Sequence, residues 1–201
     1  MEACWSSKEF ERMEKTLNPA VYLPRFYRVP PRLADVPTAW GPNESILMDM
    51  IQRFDIPTKK ALEFGVDYGY SASALANYFE EVIGVDHFQS DRQTGDRENL
   101  YEQASRALQE FPNVHLVCQD YREFIKSNDD TYGLIHVDMF HDYECTYGAG
   151  RWAADHAKVV IFHDTEGWVE VKNAVGKISE ETGMQFYNYA VNFGLGILVR
   201  Q

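Results

Sequence analysis

Carboxylates and imidazoles meet twice in the second half of this 201-residue chain. Asp138 and His141 close one apolar run, Gly133–Asp138, and His163 and Asp164 close another, Lys158–His163. If neighbouring strands carry these runs, two carboxylates and two imidazoles converge. Mg²⁺ takes carboxylate oxygens, and Mn²⁺ or Fe²⁺ also accepts an imidazole. A hydroxyl beside such a cation becomes more acidic, and a nearby histidine can remove its proton. The plainer alternative is a hydrogen-bonded strand-end His163 with Asp164 as a cap. A second set of residues lies earlier. The segment Glu63-Phe64-Gly65-Val66-Asp67-Tyr68-Gly69-Tyr70-Ser71 has two glycines that permit a tight turn before a helix. Asp67 and Tyr70 stand where a dinucleotide fingerprint wants glycine, and Glu63 and Asp67 would repel a pyrophosphate at the helix start. The loop therefore suits a nucleoside ligand with positive charge and no phosphate, or else is a structural glycine turn. Asp86 follows Gly65 by 21 positions, the spacing of a ribose-binding acid. His87 or Phe88 could then lie against the base. Asp120, beside Tyr121, either accepts from an exocyclic amine or caps the next helix.

These residues need strands to deliver them and helices to separate the strands. Short apolar runs predict seven strands: Lys60–Phe64, Glu81–Val85, Val114–Cys118, Gly133–Asp138, Lys158–His163, Met184–Ala190 and Leu195–Arg200. Helical periodicity falls between them. Ile46, Leu47, Met50, Ile51 and Phe54 share one face, as do Leu100, Ala104, Ala107, Leu108 and Phe111, and Val171, Ala174, Val175 and Ile178. Shorter helices are expected over 71–79 and 121–126, and a longer one over 143–156, weakened by Gly148 and Gly150. Unbroken apolar strands alternating with helices predict an α/β, Rossmann-like architecture. Its mostly parallel seven-stranded sheet is covered on both faces and ends in an antiparallel hairpin. Ligands on such sheets sit at the carboxyl ends of the strands, which is where the residues above lie.

Composition narrows the functional classes. With 45% hydrophobic and 25% charged residues the chain is an ordinary globular one, and its net charge of −12 disfavours nucleic acid as a partner. Six basic and five acidic residues fall in 1–40, so the acidity belongs to the remainder. Residues 18–43 carry six prolines among aromatics and Arg25, Arg28 and Arg32, predicting an extended arm over 1–43 ahead of a domain over 44–201. The arm is either a strap over a sheet edge or a lid over a ligand, and its arginines either grip an anionic substrate or dock on the acidic body. Cys4, Cys118 and Cys145 are widely spaced without a CxxC pair, and MEACWSSKEFERMEK lacks the apolar stretch of a secretion signal. A cytoplasmic location follows as an expectation, with no membrane partner and a possible homo-oligomer. His115 and His136, inside apolar strands, are expected in the core, and Trp152 and Trp168 in packing. No nucleophile elbow is present, which argues against a hydrolase.

EFGVDYGYSA, VIGVDHF and CQDYREF, in that order, resemble the cofactor half of the class I S-adenosylmethionine-dependent methyltransferases. LIHVDMFHDYE and VVIFHDT resemble a narrower group, the macrocin-type sugar O-methyltransferases and cephalosporin hydroxylase-like proteins. The resemblance spans roughly residues 44–200 and leaves the arm outside. It implies a methyl transfer from S-adenosylmethionine to an oxygen of a small polar molecule, assisted by Mg²⁺ or Mn²⁺. By the same resemblance Glu63, Gly65, Gly69 and Ser71 line the methionine end, Asp86 the ribose, and Asp120 with Tyr121 the adenine; Asp67 and His87, from the reading of their own loops, join the cofactor-binding set. Asp138 and Asp164 become metal ligands with His163 as a further one, and His141 the base. Relatives commonly have Asp-Gly-x-His where this chain has Asp138-Met139-Phe140-His141. Two other readings share the fold: a nucleoside-binding or interaction module without turnover, and a hydroxylase-like metal enzyme.

Overall fold

The structure, a computed structural model, describes residues 19–89 and 100–201; Cys4 and the start of the arm lie outside them. Among the described residues one sheet is built from β1 (Ala20–Val21), β2 (Lys60–Phe64), β3 (Glu81–Asp86), β4 (Val114–Cys118), β5 (Tyr132–Val137), β6 (Ala157–His163), β7 (Gln185–Tyr189) and β8 (Leu195–Val199). Their spatial order is β1-β7-β8-β6-β5-β2-β3-β4, and β8 alone runs against its neighbours. A 3₁₀ turn, Asn43–Ile46, leads into α1 (Leu47–Arg53). It is followed by α2 (Tyr70–Leu75), α3 (Leu100–Ala107), α4 (Tyr121–Lys126), α5 (Tyr143–His156) and α6 (Val169–Thr182).

Burial explains the layering. Every residue of β5 is buried, and Val159, Val160, Ile161 and Phe162 of β6 are fully so, each stabilising the fold by roughly 1.5–3 kcal/mol. Alternate side chains feed two cores. Ala61, Leu134 and Ile161 join α1, α2 and α3 on one face, while Leu62, Ile135 and Phe162 join α4, α5 and α6 on the other. Gly150 in α5 lets that helix lie close on the sheet, because a Cβ there would sit 2.5 Å from the Phe162 ring. At the far edge β4 is only half covered, so His115 is exposed rather than in the core.

The sheet has one strand more than the sequence predicts, and the arm supplies it. Ala20 and Val21 pair with Tyr187 and Asn188 of β7 in parallel, and the Tyr22 amide donates to the Asn188 carbonyl at 2.8 Å. Pro19 and Pro24 confine this strand to two edge residues. Beyond it the Tyr22 ring is buried, and its hydroxyl donates to Asp49 Oδ2 on α1 at 2.5 Å, with Arg25 Nε on Oδ1 at 2.7 Å. Burial alone would raise the Asp49 pKa, but the Tyr22 and Arg25 hydrogen bonds hold it below the usual carboxylate range. Arg32 lies over the Phe111 ring and donates to the Glu110 carbonyl. Arg25 and Arg32 thus dock the arm on the body.

Candidate functional site

The sheet order reverses between β2 and β5. Successive strands β2, β3 and β4 step outward one way, β5 and β6 the other, which opens a crevice beyond the carboxyl ends of β2 and β5. The two strand ends almost touch. Asp138 N donates to the Phe64 carbonyl at 2.9 Å, and Gly65 N to the Val85 carbonyl at 3.0 Å. Gly65 has φ +85°, and a Cβ on it would lie 1.7 Å from the Asp138 carbonyl oxygen, so no other residue fits.

A cavity of about 340 Å³ occupies this crevice, within the range of small-molecule sites. Its walls are the 65–71 turn, Asp86 and His87 after β3, Asp138 to His141 after β5, His163 and Asp164 at the end of β6, and Pro37 to Trp40 from the arm. Gly65, Asp67, Ser71, Asp86 and His87 therefore share one space with Asp138, His141, His163 and Asp164. Gly69 shapes the turn from behind, where a Cβ would meet Leu108 at 2.7 Å. Asp86 braces the turn: its Oδ2 accepts from the amides of Val66 and Asp67 at 2.8 and 3.2 Å, and Oδ1 from that of Phe88 at 2.8 Å. A carboxylate has about four acceptor positions, so roughly one is left for a ribose hydroxyl. The His87 ring packs against Phe140.

Three residues expected on the ligand are not among those that line the cavity. Asp120 caps α4, accepting from the Arg122 amide at 2.7 Å. Tyr121 is buried against Phe64 beneath the Arg122 guanidinium. Glu63 sits behind the wall, wholly buried, where burial pushes its pKa up.

The acidic end is a compact ionic cluster. One ligand atom each from Asp138, His141 and Asp164 lies within 4.8 Å of the others, a donor set whose carboxylates suit Mg²⁺ and which as a whole, imidazole included, suits Mn²⁺. His141 Nε2 is 2.7 Å from Asp164 Oδ2 and 3.8 Å from Asp138 Oδ1. His163, nearly buried, stands behind, with Nδ1 3.1 Å from Asp164 and 3.4 Å from Asp138. The three-residue donor set thus includes His141, expected as the base, while His163, expected as a ligand, keeps its Nδ1 on both carboxylates beside that set. Burial would lower both imidazole pKa values, but the two carboxylates outweigh it, raising His141 to about 9 and His163 to about 10. In return the imidazoles hold Asp138 and Asp164 below the carboxylate range despite burial. Two positive rings therefore balance two negative carboxylates when no cation is bound.

Three further side chains bear on this site, and one of them, His136, is buried in the core as its strand position predicts. Trp168, expected in packing, is 44% exposed and stacks on His141 with ring centres 5.1 Å apart. Trp40 lines the cavity, and His136 lies buried behind it; their contact spans 96 positions, and no local pattern announces it.

A family model described as a methyltransferase domain matches residues 62–165, just over half of the chain. No curated protein matches the sequence. Among solved structures, a Staphylococcus aureus protein provisionally named a caffeoyl-CoA O-methyltransferase has 16% identity and a TM-score of 0.62, over 84% of this chain and 86% of its own. A Bacillus cereus O-methyltransferase in complex with SAH has 14% identity and a TM-score of 0.59, over 83% of each chain. The O-methyltransferase TomG of Streptomyces achromogenes, involved in tomaymycin synthesis and solved with SAM, has 16% identity and a TM-score of 0.59, over 84% and 82%. At such identities the likeness is one of fold.

Proposed function

The chain belongs to the methyltransferase-domain family of S-adenosylmethionine-dependent enzymes, and on that premise we propose that it methylates an oxygen of a small polar molecule with the help of a divalent cation. One observation supports this above others: the Asp138–His141–Asp164 cluster opens into the same cavity as the Gly65 turn and Asp86. A methyl donor and an activated hydroxyl would then share one cavity. Grouping with the macrocin-type and cephalosporin hydroxylase-like proteins belongs to the same proposal and rests on HVDMFHDYE and IFHDT.

The residues divide the work as follows. Asp86 holds the turn and offers its remaining acceptor position to the ribose. Ser71 and Asp67 line the end where the sulfonium would sit, and the His87 ring offers a face to the base. Asp138 and Asp164 hold the cation. A bound cation supplies charge that lowers the pKa of a hydroxyl beside it and of the neighbouring imidazoles. His141, so deprotonated, accepts the hydroxyl proton as the oxygen takes the methyl group. Transfer to an aligned oxygen needs mainly proximity. Of the arm proposed over 1–43, Ala20 and Val21 strap β7 and Pro37 to Trp40 wall the cavity. The acidic body leaves nucleic acid out as an acceptor.

Incubation with S-adenosylmethionine and pooled hydroxylated metabolites, followed by mass spectrometry, tests the reading. S-adenosylhomocysteine and a product heavier by one methylene should form with Mg²⁺ or Mn²⁺ and fail to form in chelator. His141→Ala should leave cofactor affinity intact and lower turnover about 10²–10⁴-fold. Full turnover by protein shown to be metal-free would overturn the cation's part.

A further inference from the structure

Two walls of the cavity are joined by a polar chain running behind its surface. Trp40 of the arm and Ser71 of α2 both line the cavity. Between them stand two wholly buried residues on adjacent strands, Glu63 of β2 and His136 of β5, which are register partners. Trp40 Nε1 donates to His136 Nε2 at 3.1 Å, and His136 Nδ1 lies 2.7 Å from Glu63 Oε1. The Ser71 side chain stands beside the same carboxyl. An indole N–H donates only, so His136 Nε2 must accept, the ring proton sits on Nδ1, and Nδ1 donates to Glu63. The arm thereby selects the tautomer of a histidine in the centre of the sheet. Glu63 Oε2 is left buried without a hydrogen-bond partner, a costly state unless a donor or positive charge comes to it.

We propose that Trp40 and His136 are positioning residues that hold Glu63 behind Ser71 for the positively charged methionine end of S-adenosylmethionine. This rests on the reading of the cavity as that cofactor's site. Trp40 precedes residues 62–165, which the family model matches, so the arm brings to the cofactor something the matched segment lacks. Trp40→Phe keeps an aromatic wall and removes the donor, which frees the His136 ring and with it the Glu63 carboxyl.

A double-mutant cycle on cofactor affinity separates this role from mere packing. Wild type, Trp40→Phe, Glu63→Gln and the double variant are titrated calorimetrically with S-adenosylmethionine. Trp40→Phe should weaken binding about tenfold in the wild-type background and less than about twofold in the Glu63→Gln background. Equal losses in both backgrounds, or no loss, would show that Trp40 does not act through Glu63. Should Trp40→Phe not fold, the ¹⁵N shifts of the His136 ring in the wild type decide: a proton on Nδ1 alone, with Nδ1 moving when cofactor is added, supports the chain. A proton on Nε2, or a ring that ignores cofactor, overturns it. If wild type does not bind S-adenosylmethionine at all, the cofactor reading itself fails and takes this proposal with it.

Discussion

Cation binding at the Asp138–His141–Asp164 cluster should be strongly proton-linked. His141 is held at about 9 because, although burial disfavours its charge, the carboxylates of Asp138 and Asp164 favour it more. At pH 7 it is protonated, and a cation that takes the carboxylate oxygens must expel that proton. Removing a proton two units below its pKa costs about 2.7 kcal/mol, or about 100-fold in apparent affinity. Calorimetric titration with Mn²⁺ should therefore show affinity rising about tenfold per pH unit between pH 6.5 and 8.5. Repeating it in buffers of different ionisation enthalpy should count about one proton released per ion. The metal-free protein carries the opposite dependence. Folded pKa values of about 9 and about 10 for His141 and His163 lie above the unfolded value, so their stabilisation is complete below that value. It fades as pH rises through 9 and 10, and chelator-treated protein should melt lower there than at pH 7. Saturable Mn²⁺ binding with no pH slope and no proton release would refute the reasoning, since His141 would then keep its proton beside the ion.

Asp86→Asn keeps the shape but leaves one acceptor oxygen where two serve three backbone amides, so it should cost about 1–3 kcal/mol in S-adenosylmethionine affinity or folding, read by calorimetry and melting together. Tyr22→Phe strands Asp49 Oδ2 in the interior and should destabilise by about 1.5–3 kcal/mol. For a domain of this size that is a fall of about 3–12 °C in Tm, and an unchanged Tm would mean the arm is not anchored there. Gly65→Ala forces a left-handed backbone on alanine and drives its Cβ into the Asp138 carbonyl, so cofactor binding should be lost. A folded Gly65→Ala protein with wild-type affinity would contradict the geometry of the crevice.

Local chemistry was enough for much of the fold. The bounds of β2 and β4, and of α4 and α5, fall where apolar runs and turn residues put them, because each reflects a period or a cap within a few positions. The strand-end carboxylates and histidines were legible for the same reason: in a parallel sheet, residues that follow strands collect at one edge. What local pattern could not hold was decided by distance in sequence. Two residues of arm have no periodicity, so β1 exists only because the open edge of β7 needs a partner and Asp49 fixes the Tyr22 hydroxyl. Apolarity put His115 and His136 alike in the core, but the strand order makes β4 an edge and β5 central, which exposes one and buries the other. Which histidine enters the acidic triad depends on how the loop after β5 turns His141 Nε2 toward Asp164, a contact between separate strand ends that spacing along either cannot fix. Trp168 lies on His141 at the surface because the segment between β6 and α6 carries it there, not because an apolar residue sought the interior. Sequence thus set the elements and the chemistry available at their ends; tertiary packing chose the partners, since hydrogen bonds and charges act over ångströms while the residues that share them lie tens of positions apart.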